Sequence, residues 1–477
     1  MDTKAERLAF NYQPDAAAGG ARTAEETFAT TEAAAEPRDW GYLGLLAFTA
    51  VLLLRPQDRV PALTSVHVAE ICAFLGIGPM LLHRFARRLP VFRVTPETMG
   101  LIVLGVAILA TAPFSIWPGG AIEVFTDAYL KIVIVFVLMM NTLTTTGRLE
   151  RLTWLILVCI GFIAALAVSD YASGRNLVEG GRLAGPVGGI FGNPNDLAMN
   201  MVTFLPATIV VAMSRRRSTA RRGIAAVIAL LMVATIVFTK SRGGLLGLLV
   251  ALAGLFVLGG SQRGRIGALL LIGTIVAVPL LPESFWSRMT TIFDTEQDKL
   301  QYTGSAEQRE LVMGDGINTF LEYPVTGVGA GQFKNYNPQG RQTRFLETHN
   351  VLLQVAAETG ILGLLAFLFL IWRAALAAWV TTRIVSSKQW MSQSKDPSRQ
   401  DAARALGEHT LGLSAGLMGW FVCAMFASVA YNWTFYYVLA LLVAARELAL
   451  VQSGAPIPAK LKKILVRTPG LSPQTAS

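Results

Sequence analysis

Four short polar groups interrupt an otherwise apolar sequence, and their residue types suit a narrow range of chemistry. The first is Glu347-Thr348-His349-Asn350, followed nine residues later by Gly360-Ile361-Leu362-Gly363. A histidine beside a carboxylate and an amide can act as a general base; the structural alternative is a group that caps or solvates a helix start. The second is Thr239-Lys240-Ser241-Arg242-Gly243-Gly244. Here Arg242 can present its planar fork to a diphosphate, small neighbours permit close approach, and the N–H groups of a following helix start can assist. Snorkelling of Lys240 and Arg242 to the membrane interface is the alternative. The third is Gly181-Arg182-Leu183-Ala184-Gly185-Pro186 followed by Phe191-Gly192-Asn193-Pro194-Asn195-Asp196. Asn193-Pro194 starts a turn and Asn195 or Asp196 caps the next helix, which leaves Arg182 either to grip a phosphate or to sit in solvent. The fourth, Gly327-Val328-Gly329-Ala330-Gly331-Gln332, has no strand before it and lacks the glycine spacing of a nucleotide loop, so it reads as a flexible turn. Several arginines, one histidine, no metal cluster and no serine triad fit transfer of a group from a diphosphate leaving group to an alcohol. Arginines would stabilise the departing charge, and the base would take the hydroxyl proton.

These groups need a scaffold, and composition says which. Of 477 residues, 53% are apolar and 15% are charged, with mean hydropathy +0.49. A soluble domain carries about 25% charged residues. The sequence therefore excludes a soluble enzyme and predicts an all-α polytopic integral membrane protein. About 12 runs are long enough to be transmembrane helices. The expected layout is a disordered tail over residues 1–39, helices 1 to 9 over 40–282, a large helical loop over 283–350, helices 10 to 12 over 351–450, and a basic tail over 451–477. The tenth run is long enough to hold an extra helical stretch before its span. Residues 1–39 contain no apolar core of a cleavable signal. Cys72, Cys159 and Cys423 lie far apart in apolar runs and predict neither a disulfide framework nor a metal site.

The net charge of +10 is an orientation signal. With the N-terminus inside, alternate connecting segments and tails hold 26 Lys and Arg on the cytoplasmic side against 12 on the outer side. Both termini are then cytoplasmic, and nucleic acid is excluded as a partner. The loop over 283–348 falls outside the cytoplasm. In it Ser305-Ala306-Glu307-Gln308 fits a capping box, and Arg309, Val312, Met313, Ile317 and Phe320 continue at helical spacing until Pro324. Glu123, Asp127 and Lys131 lie at i, i+4 and i+8 on one span. They predict an intrahelical pair that orients the helix, the alternative being the ion path of a secondary transporter.

The run His349-Asn350-x9-Gly360-x2-Gly363 resembles the hallmark of the O-antigen ligase and O-antigen polymerase superfamily. Arg242 in Ser-Arg-Gly-Gly and Arg182 before Phe-Gly-Asn-Pro-Asn are similar to that family's other signatures, and the likeness covers roughly residues 150–450. Leu54-Arg55-Pro56-Gln57-Asp58 further resembles a subgroup of O-glycosylation ligases found with exosortase systems. The resemblance implies an inverting glycosyltransferase at the periplasmic face of the bacterial inner membrane. It would move a glycan from undecaprenyl diphosphate to an acceptor hydroxyl on a lipid A-core sugar, another glycan or a protein, with neither metal nor nucleotide cofactor. It implies that Arg182, Arg242 and Arg309 bind the diphosphate and that His349 activates the acceptor, with Glu347, Asn350 and Lys240 in support. A repeat-unit polymerase using the same residues is the alternative within the superfamily.

Overall fold

Inside a bilayer, backbone amides and carbonyls have to bond within their own segment, so long apolar runs become helices. The computed structural model describes residues 39–453 apart from 64–65, 67, 87, 89–92, 291–304, 339–344 and 388–396. Both expected tails lie almost wholly outside the described residues, as do the side chains on which the capping box at Ser305 to Glu307 rests. The helices in chain order are α1 (Trp40–Leu54), α2 (Val68–Ala86), α3 (Pro96–Thr111), α4 (Pro118–Glu123), α5 (Leu130–Thr142), α6 (Thr146–Ala172), α7 (Pro194–Met213), α8 (Thr219–Thr239), α9 (Arg242–Leu258), α10 (Arg263–Ala277), α11 (Glu283–Thr290), α12 (Ser305–Glu322), α13 (Val351–Val385), α14 (Pro397–Ala424) and α15 (Trp433–Ser453). Eight helices among the described residues are long and apolar enough to cross a membrane, and α9 is a shorter apolar one. The chain is an all-α, multi-pass membrane protein.

Polar caps set the helix starts. Thr95, Thr145, Asn193, Ser218, Ser241 and Asn350 each accept a backbone N–H from the first turn that follows them. The expected cap of α7 is thereby corrected: Asn193, not Asn195 or Asp196, does the capping, which releases Asn195 for other contacts. Small residues set the spacing of the bundle. A Cβ on Gly416 of α14 would lie 1.9 Å from the Thr203 carbonyl oxygen of α7, and one on Gly247 of α9 would lie 2.3 Å from Cys423 Sγ of α14. No larger residue fits at either crossing.

Three cations fall within the expected spans, and each is paired. Glu97 is fully enclosed and accepts from Arg373 at 2.6 Å and from Arg446 at 2.7 and 3.1 Å; Arg446 also reaches Glu447. Lys131 bonds Glu70 of α2 at 2.8 Å. This corrects the intrahelical pair expected between Asp127 and Lys131. Residues Val124–Tyr129 form a π-helical turn, which adds a residue to the turn and shifts the i, i+4 register. Lys131 therefore ties two helices together, and the Glu123–Asp127–Lys131 row does not form the single face that an ion path would follow.

Candidate active site

The candidate cations stand on turns at helix ends. Arg182 belongs to a two-strand hairpin, β1 (Leu177–Val178) with β2 (Arg182–Leu183), in which Val178 pairs with Arg182. The turn needs Gly180 and Gly181, whose φ angles are 73° and 62°. The Arg182 guanidinium donates to the Thr239 carbonyl at 3.2 Å and to Asn195 Oδ1 at 2.8 Å. Asn195 Oδ1 also accepts from Ser241 Oγ at 2.9 Å, while Ser241 caps α9 through Gly244 N–H at 3.1 Å. The N-termini of α7 and α9 are thus fastened side by side next to Arg182. Helix starts carry positive partial charge and open N–H groups, so this corner favours an anion before any side-chain charge is counted.

Lys240 closes the two-residue turn between α8 and α9 in the left-handed conformation, with φ 47°. Its Nζ donates to the Gly180 carbonyl at 3.2 Å, and its own carbonyl accepts from Arg288 Nε at 3.2 Å. Arg242, the first residue of α9, is half-buried beside it. Burial, then Arg288, Arg309 and Arg242, lower the pKa of Arg182 to about 10. Burial, then Arg288 and Arg182, lower that of Lys240. Arg182 remains protonated near neutrality. Crowded like charges of this kind mark a candidate site for a counter-anion.

Arg288 was not among the candidates from sequence, yet it bonds the Lys240 carbonyl and its charge acts on both Arg182 and Lys240. The signal was present: Phe285, Arg288 and Met289 follow the i, i+3, i+4 rule on one face of α11, and all three are buried. An arginine on the apolar face of a short helix turns inward.

The histidine group lies at the start of α13. Asn350 accepts from Leu352 and Leu353 N–H, both at 3.0 Å, so its place is that of an N-cap. His349 has φ 49°, uncommon for a side chain of its size. Its N–H donates to Ser428 Oγ at 3.0 Å, and Thr348 Oγ1 is 3.0 Å from the same hydroxyl. Burial first and then the charge of Arg309 hold the imidazole pKa below its ordinary 6.5, so the ring is a neutral, proton-accepting base at neutral pH. Arg309 is therefore the link between the two halves: its charge is felt by Arg182 on one side and by His349 on the other. Glu347 is exposed.

The glycine-rich segment is neither a nucleotide loop nor the flexible turn expected. Gly327, Gly329 and Gly331 all have positive φ, and Val328 and Gly329 N–H donate to the Ala357 and Glu358 carbonyls at 3.0 and 2.9 Å. They dock where α13 is broken at Gly360, with φ 64° and ψ −164°. Ile361 N–H turns there to the Pro324 carbonyl at 2.8 Å. The break divides α13 into a first stretch that carries the histidine end and a longer second one, as the length of the tenth apolar run led one to expect. Among the described residues, no three His, Cys, Asp or Glu side chains are grouped to hold a metal ion.

A bundle of apolar helices with a cluster of cations and one histidine at helix ends defines the class: a multi-pass membrane protein with a basic site at its helix termini. Residues 227–368 match the family described as O-antigen ligase, Wzy_C, a match that supports the O-antigen ligase superfamily for this segment. The matched stretch contains Lys240, Arg242, Arg288, Arg309, Glu347, His349 and Asn350, and leaves out Arg182. No curated protein matches the chain. The match supports a ligase or polymerase type of function in general terms.

Proposed function

We propose that the protein transfers a glycan from undecaprenyl diphosphate to an acceptor hydroxyl, with inversion, at the periplasmic face of the bacterial inner membrane. The observation that carries this reading is the cation cluster at the paired starts of α7 and α9, where Arg182 bonds Asn195 and Arg288 bonds the Lys240 carbonyl, with the charge of Arg309 acting on both Arg182 and His349. On this reading a base and a diphosphate cradle share one site. Arg182, Arg242, Arg288 and Arg309, with the N-termini of α7 and α9, would hold the diphosphate. His349 would take the proton as the acceptor oxygen attacks the anomeric carbon. The bond from that carbon to the diphosphate oxygen breaks, and its electron pair leaves on the diphosphate, where the cations stabilise it. Lys240 supports the cradle by fixing the Gly180 turn and the Arg288 guanidinium, Asn350 by capping the helix that presents His349, and Glu347 by its place two residues before it.

Reconstitution of the purified chain with a lipid-linked glycan and a core-type acceptor tests this. Wild-type protein should form the glycosidic product and free undecaprenyl diphosphate, and the His349→Ala and Arg242→Ala variants should insert normally but leave the donor intact. Normal transfer by both variants would sink the proposal. The product also separates ligase from polymerase, because a polymerase lengthens the lipid-linked glycan without any other acceptor.

A further inference from the structure

The apolar residues of α12 do not all turn the same way. Val312 and Thr319 are buried, and a Cβ on Gly316 would meet the Leu353 side chain of α13 at 2.7 Å. Met313, Ile317 and Leu321 follow at i, i+4 and i+8, which places them in one stripe along the helix, and all three are exposed. Glu310, on the same line one turn earlier, ends the stripe there. At the other end, Val325 lies just past Pro324, and Leu321 and Val325 each leave 68% of their surface open. A continuous apolar edge of this kind marks a surface that another phase or partner covers.

The lower end of the stripe indicates which. Ile361 N–H donates to the Pro324 carbonyl at 2.8 Å, and Val325 is packed against the break at Gly360. Ile361, Leu362 and Leu365, immediately beyond the break, are exposed on a helix long and apolar enough to cross a membrane, so that face meets hydrocarbon. Three residues past Val325, the Val328 carbonyl accepts from Ile116 N–H at 3.3 Å and from Ser115 Oγ at 2.9 Å. Exposed Phe114 and Trp117 flank these groups at the end of the α3 span, and aromatic residues so placed mark the headgroup level. The segment from Pro324 to Val328 is therefore pinned at that level on both sides. Val325 and, one turn earlier, Leu321 prolong the lipid-facing surface of α13.

We propose that α12 docks on the bilayer surface, with Met313, Ile317, Leu321 and Val325 in the interfacial layer of the adjoining leaflet. The stripe is deepest at Val325 and shallowest at Met313, and the exposed polar residues Asn318 and Glu322, which lie off it, stay in water. Docking of this kind sets the depth of the whole helix, and with it that of Arg309, four residues before Met313. It needs only the lipid surface, and stands whether or not the transfer reaction proposed above is correct.

The test is spin-label depth measurement on the full chain in nanodiscs of phosphatidylethanolamine and phosphatidylglycerol. Nitroxides are placed through Ile317→Cys, Leu321→Cys or Asn318→Cys in a Cys72→Ser background, where Cys159 and Cys423 are buried. Collision with oxygen, relative to collision with a water-soluble nickel chelate, should be about threefold or more higher at Leu321→Cys than at Asn318→Cys, with Ile317→Cys between them. Asn318→Cys carries the same label, so the affinity of the nitroxide itself for lipid cancels. If Leu321→Cys fails to insert, Ile317→Cys against Asn318→Cys decides. Equal ratios at the stripe and at Asn318→Cys would overturn the docking and leave the stripe in water. A label on the stripe that is immobilised and shielded from both reagents would also overturn it, in favour of a protein partner or a second copy of the chain.

Discussion

His349 is held in a backbone conformation its own side chain disfavours, and Ser428 is the group that holds it there. In the proposed mechanism its neutral ring is the base. His349→Ala should lower turnover roughly 100- to 10,000-fold without altering donor binding, measured as single-turnover rates at saturating donor. Because burial and Arg309 hold its pKa down, the base form persists as pH falls, and the acid limb of kcat/KM should lie below 6.5. Arg309→Gln removes one of the two causes, so the limb should move up towards 6.5, whatever it does to the rate. An unmoved limb would mean that another group titrates. Arg288→Gln can keep the bond to the Lys240 carbonyl while losing the charge, and should lower kcat/KM about tenfold to a hundredfold, the range for one charge-assisted hydrogen bond, with little change in thermal stability. Of these residues, His349, Arg182 and Arg242 were legible in the sequence as polar residues stranded in apolar surroundings. Arg288 was not, because a cation in a loop already holding other charges stands out only once its inward face is seen.

At the scale of elements, glycines with left-handed backbone join the outer loop to α13. A Cβ on Gly360 would lie 2.3 Å from the Val325 carbonyl oxygen, and one on Gly329 would lie 2.0 Å from Ser115 Oγ. Gly360→Ala should therefore destabilise the protein by about 2 kcal/mol or more, seen as a lower thermal unfolding midpoint in detergent, and should reduce transfer by displacing the helix that presents His349. Gly78, with nothing within 4 Å of a built Cβ and no positive φ, is the control, and Gly78→Ala should be neutral or slightly stabilising. The sequence displayed Gly327, Gly329, Gly331 and Gly360 but could not pair them, since the seam joins residues some 30 apart through backbone hydrogen bonds that leave no trace in side-chain pattern. The π-helical turn failed to show for a similar reason: spacing arguments assume 3.6 residues per turn, and Val124–Tyr129 departs from it.

For the molecule as a whole, hydropathy made the bundle legible because the bilayer, rather than local propensity, dictates where helices run. The packing of charge inside it was not legible. Glu97, Arg373 and Arg446 come from three helices distant in sequence, and only folding brings them into one fully enclosed cluster. Removing the carboxylate leaves two buried guanidinium groups facing each other, so Glu97→Ala should cost about 3–5 kcal/mol, and Glu97→Gln, which keeps an acceptor, should cost less. Thermal unfolding of the purified variants in detergent checks both. Orientation is tested in whole cells: with the arginine cluster outside, Ser173→Cys should react with an impermeant maleimide and Ala220→Cys should not. The seam at Gly360 also governs how the chain can be divided. Because Val328 and Gly329 amides spend their hydrogen bonds on a membrane helix, and Ile361 draws its own from the loop, residues 305–350 grafted onto a soluble carrier would be stranded without their acceptors. Any working transplant of the loop has to bring the first turns of α13 with it.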